Sequence, residues 1–160
     1  MAITFSDEEI ELINAKGSDK VLATISPEGE PHVVRKESLH VNAGGLLEYY
    51  ELIESSLTNR NMVYSLWHNK TVSVNIRSGE RSIQIKGKPE RVLIAGAAYE
   101  EVYRELRKDG EDIDLSGIWR ITPLEIREET FAKRWEIEDA AHPILRHLDR
   151  LLTGDEQGTK

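Results

Sequence analysis

The chain has no cysteine. That absence excludes disulfides, thiolate metal sites, cysteine nucleophiles and thiolate-held iron-sulfur clusters together, and nothing here requires an oxidising compartment. Positive charge is also scarce: 21 Lys and Arg stand against 29 Asp and Glu, a formal net charge of −8. Such a balance repels a phosphate backbone, so general nucleic-acid binding is not expected, although a local basic pocket is compatible with it. No apolar run approaches the roughly 18 residues of a membrane span, and residues 1–11 carry no basic side chain of the kind a targeting signal needs. A cytoplasmic protein with no membrane attachment is the expectation. The familiar catalytic signatures are missing as well: there is no phosphate-binding loop ending in Gly-Lys-Ser/Thr, no Gly-x-Gly-x-x-Gly and no Gly-x-Ser-x-Gly. Among His32, His40, His68, His142 and His147 there is no i, i+4 pair and no His-x-His pair, so no metal site is expected.

What is present is the composition of one folded domain: 160 residues, 39% hydrophobic and 31% charged. Residues 1–153 read as that domain and 154–160 as a polar tail. Phe5-Ser6-Asp7-Glu8-Glu9-Ile10 has the form of a capping box with a hydrophobic staple, which predicts a short helix from Ser6 to Lys16-Gly17. From Lys20 the period changes to two, with Val21, Ala23 and Ile25 on one face and Leu22 and Thr24 on the other, until Ser26-Pro27-Glu28-Gly29 turns the chain back. The return strand is predicted at about 31–41 and a third strand at about 46–53. A helix follows within 55–69, then strands at 71–76 and 81–94. Tyr99, Val102, Tyr103 and Leu106 form an i, i+3, i+4, i+7 stripe on a helix over 97–108. A sixth strand, 117–128, bends near Pro123. Beyond Trp135 the pattern is helical again, with Ile144, Leu145, Leu148, Leu151 and Leu152 in one stripe. Six short strands joined mostly by turns, with helices between them, predict a mainly β fold: a six-stranded antiparallel barrel with peripheral helices.

Two stretches stand out. One is Leu22-Ala23-Thr24-Ile25-Ser26-Pro27-Glu28-Gly29-Glu30-Pro31-His32-Val33-Val34, and the other is Ser55-Ser56-Leu57-Thr58-Asn59-Arg60-Asn61-Met62. The sequence here resembles the pyridoxamine 5'-phosphate oxidase-like, FMN-binding split-barrel family. The first stretch is similar to that family's opening hairpin, the second to its Ser-x-x-(Lys/Thr)-x-x-Asn-(Leu/Met) helix start. Arg81-Ser82-Ile83-Gln84-Ile85-Lys86-Gly87 resembles the long family strand that ends in glycine, and Trp119-Arg120-Ile121-Thr122-Pro123 its final strand. Order and spacing agree over about 20–131.

The resemblance implies a split barrel that binds FMN as a homodimer, with the flavin at the subunit interface. It also implies an oxidoreductase passing electrons between a reduced nicotinamide and an acceptor that the sequence does not name. It points to Arg35, Ser55, Ser56, Thr58, Arg60 and Asn61 around the phosphate and ribityl chain, and to Gln84 and Trp119 near the ring or the partner edge. A helix start rich in hydroxyl and amide donors suits a phosphate. Arg35 and Lys36 point to opposite sides of their strand, so one of them faces the pocket. Several residues depart from the family pattern. Valine stands at 34, where the true oxidases have an arginine three residues after the hairpin proline. The carboxyl-terminal signature of those oxidases is absent, which argues against pyridoxamine phosphate oxidation. Glu51 and Glu54 precede the serine pair, and unpaired carboxylates there would oppose an anion. These departures raise an alternative of another class: a module of the same fold that holds a flavin or haem without turnover, with His40, His68, His142 or His147 available to a haem iron.

Overall fold

The computed structural model describes residues 3–143. Helix α1, Asp7–Asn14, begins with the capping box read from the sequence: Ser6 Oγ accepts from the Glu9 amide and Glu9 accepts from the Ser6 amide. Strand β1, Asp19–Ile25, turns at Ser26–Gly29, where the Gly29 amide donates to the Ser26 carbonyl and Gly29 takes φ +85°, a conformation open to glycine at little cost. The chain returns as β2, Pro31–Arg35, and continues as β3, His40–Val41, and β4, Leu47–Glu51. Helix α2, Leu57–Trp67, is followed by β5, Val72–Ser78, and β6, Arg81–Leu93. Helix α3, Ala97–Leu106, then β7, Gly117–Glu128, and helix α4, Phe131–Ala141, complete the described chain.

All pairings are antiparallel, in one seven-stranded sheet of order β2-β1-β5-β6-β7-β4-β3. The expected return strand is thus two strands. It breaks at a turn, Lys36–Leu39, in which the Leu39 amide donates to the Lys36 carbonyl. The break has a structural cause. The first half of this stretch pairs with β1, and the Lys36 amide extends that ladder to the Lys20 carbonyl. The second half pairs with β4, and Ser38 Oγ takes the Tyr50 amide. One segment therefore supplies both edges of the sheet, and the sheet curls until the two edges are neighbours.

Alternation sorts the side chains into an inner and an outer face. Leu22, Tyr49, Val74, Ile76, Ile83, Ile85, Trp119 and Ile121 line the core together with Ile13 of α1 and Met62 of α2. The buried face of β1 is Lys20, Leu22 and Thr24, while Val21, Ala23 and Ile25 are half-buried on the outside. The stripe read on α3 is the half-buried side of that helix. Helix α4 starts earlier than expected, at Phe131, and buries no residue. The stripe from Ile144 to Leu152, His147 and the boundary at 153–154 lie outside the described residues. No helix among the described residues is long and apolar enough to cross a membrane.

Candidate functional site

Among the described residues, the far edges of β2 and β3 have no strand partner. The opening of the barrel lies there, between β2 and the end of β4, and α2 begins beside it. The α2 N-terminus is built locally: Ser56 accepts from the Asn59 amide as the N-cap, and the Ser56 amide donates to the Ile53 carbonyl. Ser55 is exposed, and Arg60 is exposed within the electrostatic reach of Glu28 on the hairpin tip.

The other donors expected to meet a phosphate point inward and already have partners. Thr58 Oγ1 lies 3.2 Å from His32 Nε2. Asn61 Nδ2 donates to Thr24 Oγ1 at 3.1 Å, at a position almost fully buried. Asn59 accepts from Trp119 Nε1 at 2.8 Å and donates to the Glu54 carbonyl at 2.9 Å. Trp119 is therefore a core residue anchored to α2. Its ring packs in the same cluster as Tyr49, its register partner on β4.

The register also settles which side of β2 faces the opening. His32 and Lys36 point inward. Arg35 points outward, 73% exposed, and pairs with Asp19 at 3.4 Å. Lys36 Nζ sits 2.8 Å from Glu51 Oε2, with side-chain exposures of 14% and 2%. Glu51 Oε1 accepts from the Ile53 amide at 3.3 Å, so both carboxylate oxygens are held. Lys36 Nζ also lies 5.0 Å above the Tyr49 ring. The Tyr49 hydroxyl is buried without a hydrogen-bond partner. Burial, and to a smaller extent the Glu51 carboxylate, pushes its phenol well above the ordinary tyrosine range. Gln84 is half-buried on the outer face, in register with Asn75 and with Arg127. Arg35 and Gln84 share one row of that face with Val21 and Asn75 between them, about 14 Å apart at ordinary strand spacing.

The residues expected around a flavin thus divide into three groups. Thr58, Asn61 and Trp119 belong to the interior beneath α2, Ser55, Arg60 and the N-cap Ser56 to the rim, and Arg35 and Gln84 to the outer sheet. Lys36, which the sequence offered beside Arg35, stands at the opening with Glu51 and with Tyr49, which the sequence did not single out. No cluster of three His, Asp or Glu side chains suited to a metal occurs among the described residues.

No protein-family model matches the sequence, and a comparison with curated proteins finds no match. Solved structures do match. HupZ of Group A Streptococcus superposes with a TM-score of 0.63 and 17% identity, covering 80% of this chain and 96% of that one. An FMN-binding protein from Syntrophomonas wolfei gives a TM-score of 0.60 and 12% identity over 76% of this chain and 84% of its own. The chain has the split-barrel fold. HutZ of Vibrio cholerae, described as a heme storage protein, shares the split barrel with a TM-score of 0.54 and 15% identity, over 79% of this chain and 95% of that one. Split barrels of the pyridoxamine 5'-phosphate oxidase type are among the other structural neighbours. The same fold thus carries proteins named for two different flat cofactors.

The residues present do not fit the phosphate of FMN. A phosphate dianion needs uncommitted donors and a net positive charge. Here the Lys36 ammonium is neutralised by Glu51, and Thr58 and Asn61 are engaged by His32 and Thr24.

Proposed function

We propose that this chain is a ligand-binding split barrel that holds the ring system of a flavin at its opening, without a built clamp for a phosphate, and acts as a binding module rather than as a flavin oxidoreductase. One observation carries this reading: at the start of α2, Thr58 meets His32 of β2, the Asn61 amide donates to Thr24 of β1, and Asn59 accepts from Trp119 of β7. The pKa shifts that do occur have structural causes, such as the burial that lowers Lys20 while its ammonium donates to the Leu39 carbonyl.

The test is a fluorescence titration of the purified protein with riboflavin and with FMN, and an absorbance titration with haemin. A charge-assisted hydrogen bond to the phosphate would contribute about 1.5 to 3 kcal/mol, so FMN is expected to bind less than about tenfold more tightly than riboflavin. Loaded with either flavin, the protein should oxidise reduced nicotinamide no faster than the unbound flavin does. FMN that survives dialysis, together with rapid nicotinamide turnover, would establish the oxidoreductase instead. Saturable haemin binding with no flavin binding would move the protein to the haem class.

A further inference from the structure

Fold stability does not explain why the opening holds a tyrosine hydroxyl with no partner beside an ion pair nearly out of water. Glu51 continues the inner face of β4 after Leu47 and Tyr49, where the barrel would otherwise be apolar. Its carboxylate is fixed on one side by the Ile53 amide and on the other by Lys36. The Lys36 ammonium in turn lies over the Tyr49 ring. An ammonium over an aromatic face, with an unpaired phenol on that ring, is the kind of set that receives an anion. The anion already there is part of the chain.

We propose that Glu51 is an internal substitute for the anionic end of a ligand: by holding Lys36 it closes the opening to phosphorylated molecules, and removing this one carboxylate opens it to them. The proposal rests on reading the opening as the ligand site. The physical argument is one of charge balance. A phosphate group carries about 1.5 to 2 negative charges at neutral pH. Brought to Lys36, it would meet the fixed charge of Glu51 within a few ångströms in a poorly solvated place, with Glu54 close by in sequence, and one ammonium cannot neutralise them all. With Glu51 neutral, the Lys36 ammonium over the Tyr49 ring is left without its facing negative charge.

Glu51→Gln keeps the size of the side chain and removes its charge, and Glu51→Ser does so with a smaller group. The probe is inorganic pyrophosphate at constant ionic strength, read by thermal melting and isothermal calorimetry. It is expected to bind E51Q saturably, about tenfold to a hundredfold more tightly than the wild type, and to lose that gain in the K36M/E51Q double variant. In parallel, the preference for FMN over riboflavin should rise by the same factor in E51Q and return to the wild-type value in the double variant. A folded E51Q or E51S protein that gains no pyrophosphate affinity overturns the proposal, as does a gain that persists without Lys36. If neither single variant folds, the pair is a structural fastener and the proposal falls. Because pyrophosphate reports on Lys36 without a flavin, a gain in that arm with no flavin binding in any variant would overturn the flavin reading and leave the role of Glu51 standing.

Discussion

Tyr49 shows at the residue scale how closely the opening is tied to the core. Its ring belongs to the same buried cluster as Trp119, yet its hydroxyl has no partner. A buried hydroxyl left unpaired costs about 1 to 3 kcal/mol. Tyr49→Phe is therefore expected to leave stability unchanged or raise it by up to that amount, with the melting temperature as the measurement. A loss above about 1 kcal/mol would mean that the hydroxyl has a bonding partner in solution. How legible such residues were depends on how far away their partners lie. Alternation along β2 said that Arg35 and Lys36 face opposite ways, but the pairing with β1 decides which of them faces in. Glu51 was visible as a charge that opposes an anion. Its pairing with Lys36 was not, because the two meet only when the return strand breaks and folds against β4. Thr58 and Asn61 looked like ligand donors because a sequence shows polar groups without their partners, here His32 and Thr24.

Among the elements, those with local causes were read almost to the residue. The capping box set the start of α1, and the alternation of β7 between Gly117 and Glu128 matches the strand seen. The break at Lys36–Leu39 was missed because it contains neither glycine nor proline. It is imposed by the need to pair with β1 and then with β4, which no local pattern encodes. Gly87 is the reverse case, a residue whose sequence position hides a steric demand. It lies at the irregularity where β6 crosses β7, and a Cβ there would stand 2.5 Å from Ile121 Cγ2 and 2.8 Å from the Thr122 carbonyl oxygen. Gly87→Ala should cost about 1 to 3 kcal/mol by overpacking the crossing. Urea unfolding measures it, and an unchanged midpoint would mean that the two strands can separate there without penalty.

At the level of the whole molecule, the outer face of β2, β1 and β5 is only partly covered. Val33 is 60% exposed there, with Val21, Ala23 and Ile25 half-buried beside it and Gln84 on the adjacent strand. An exposed apolar sheet face of this kind is ordinarily covered, and a second copy supplies a self-complementary cover. Light scattering at low micromolar concentration is expected to give twice the monomer mass. Val33→Asp should halve that value while far-ultraviolet circular dichroism stays the same, and a monomeric wild type would defeat the expectation. The closing of the barrel also bears on how the protein is made. Strand β4 finds its central partner in β7, the last strand of the sheet, which emerges roughly seventy residues later. At about 5 to 20 residues per second, a ribosome needs on the order of 4 to 14 seconds to supply it. For that interval the nascent chain carries a finished hairpin and a β4, with Leu47 and Tyr49, that has only the two-residue β3 to pair with. The step most exposed to aggregation during biosynthesis is thus the wait of β4 for β7, and the same late pairing brings Trp119 into line with Tyr49.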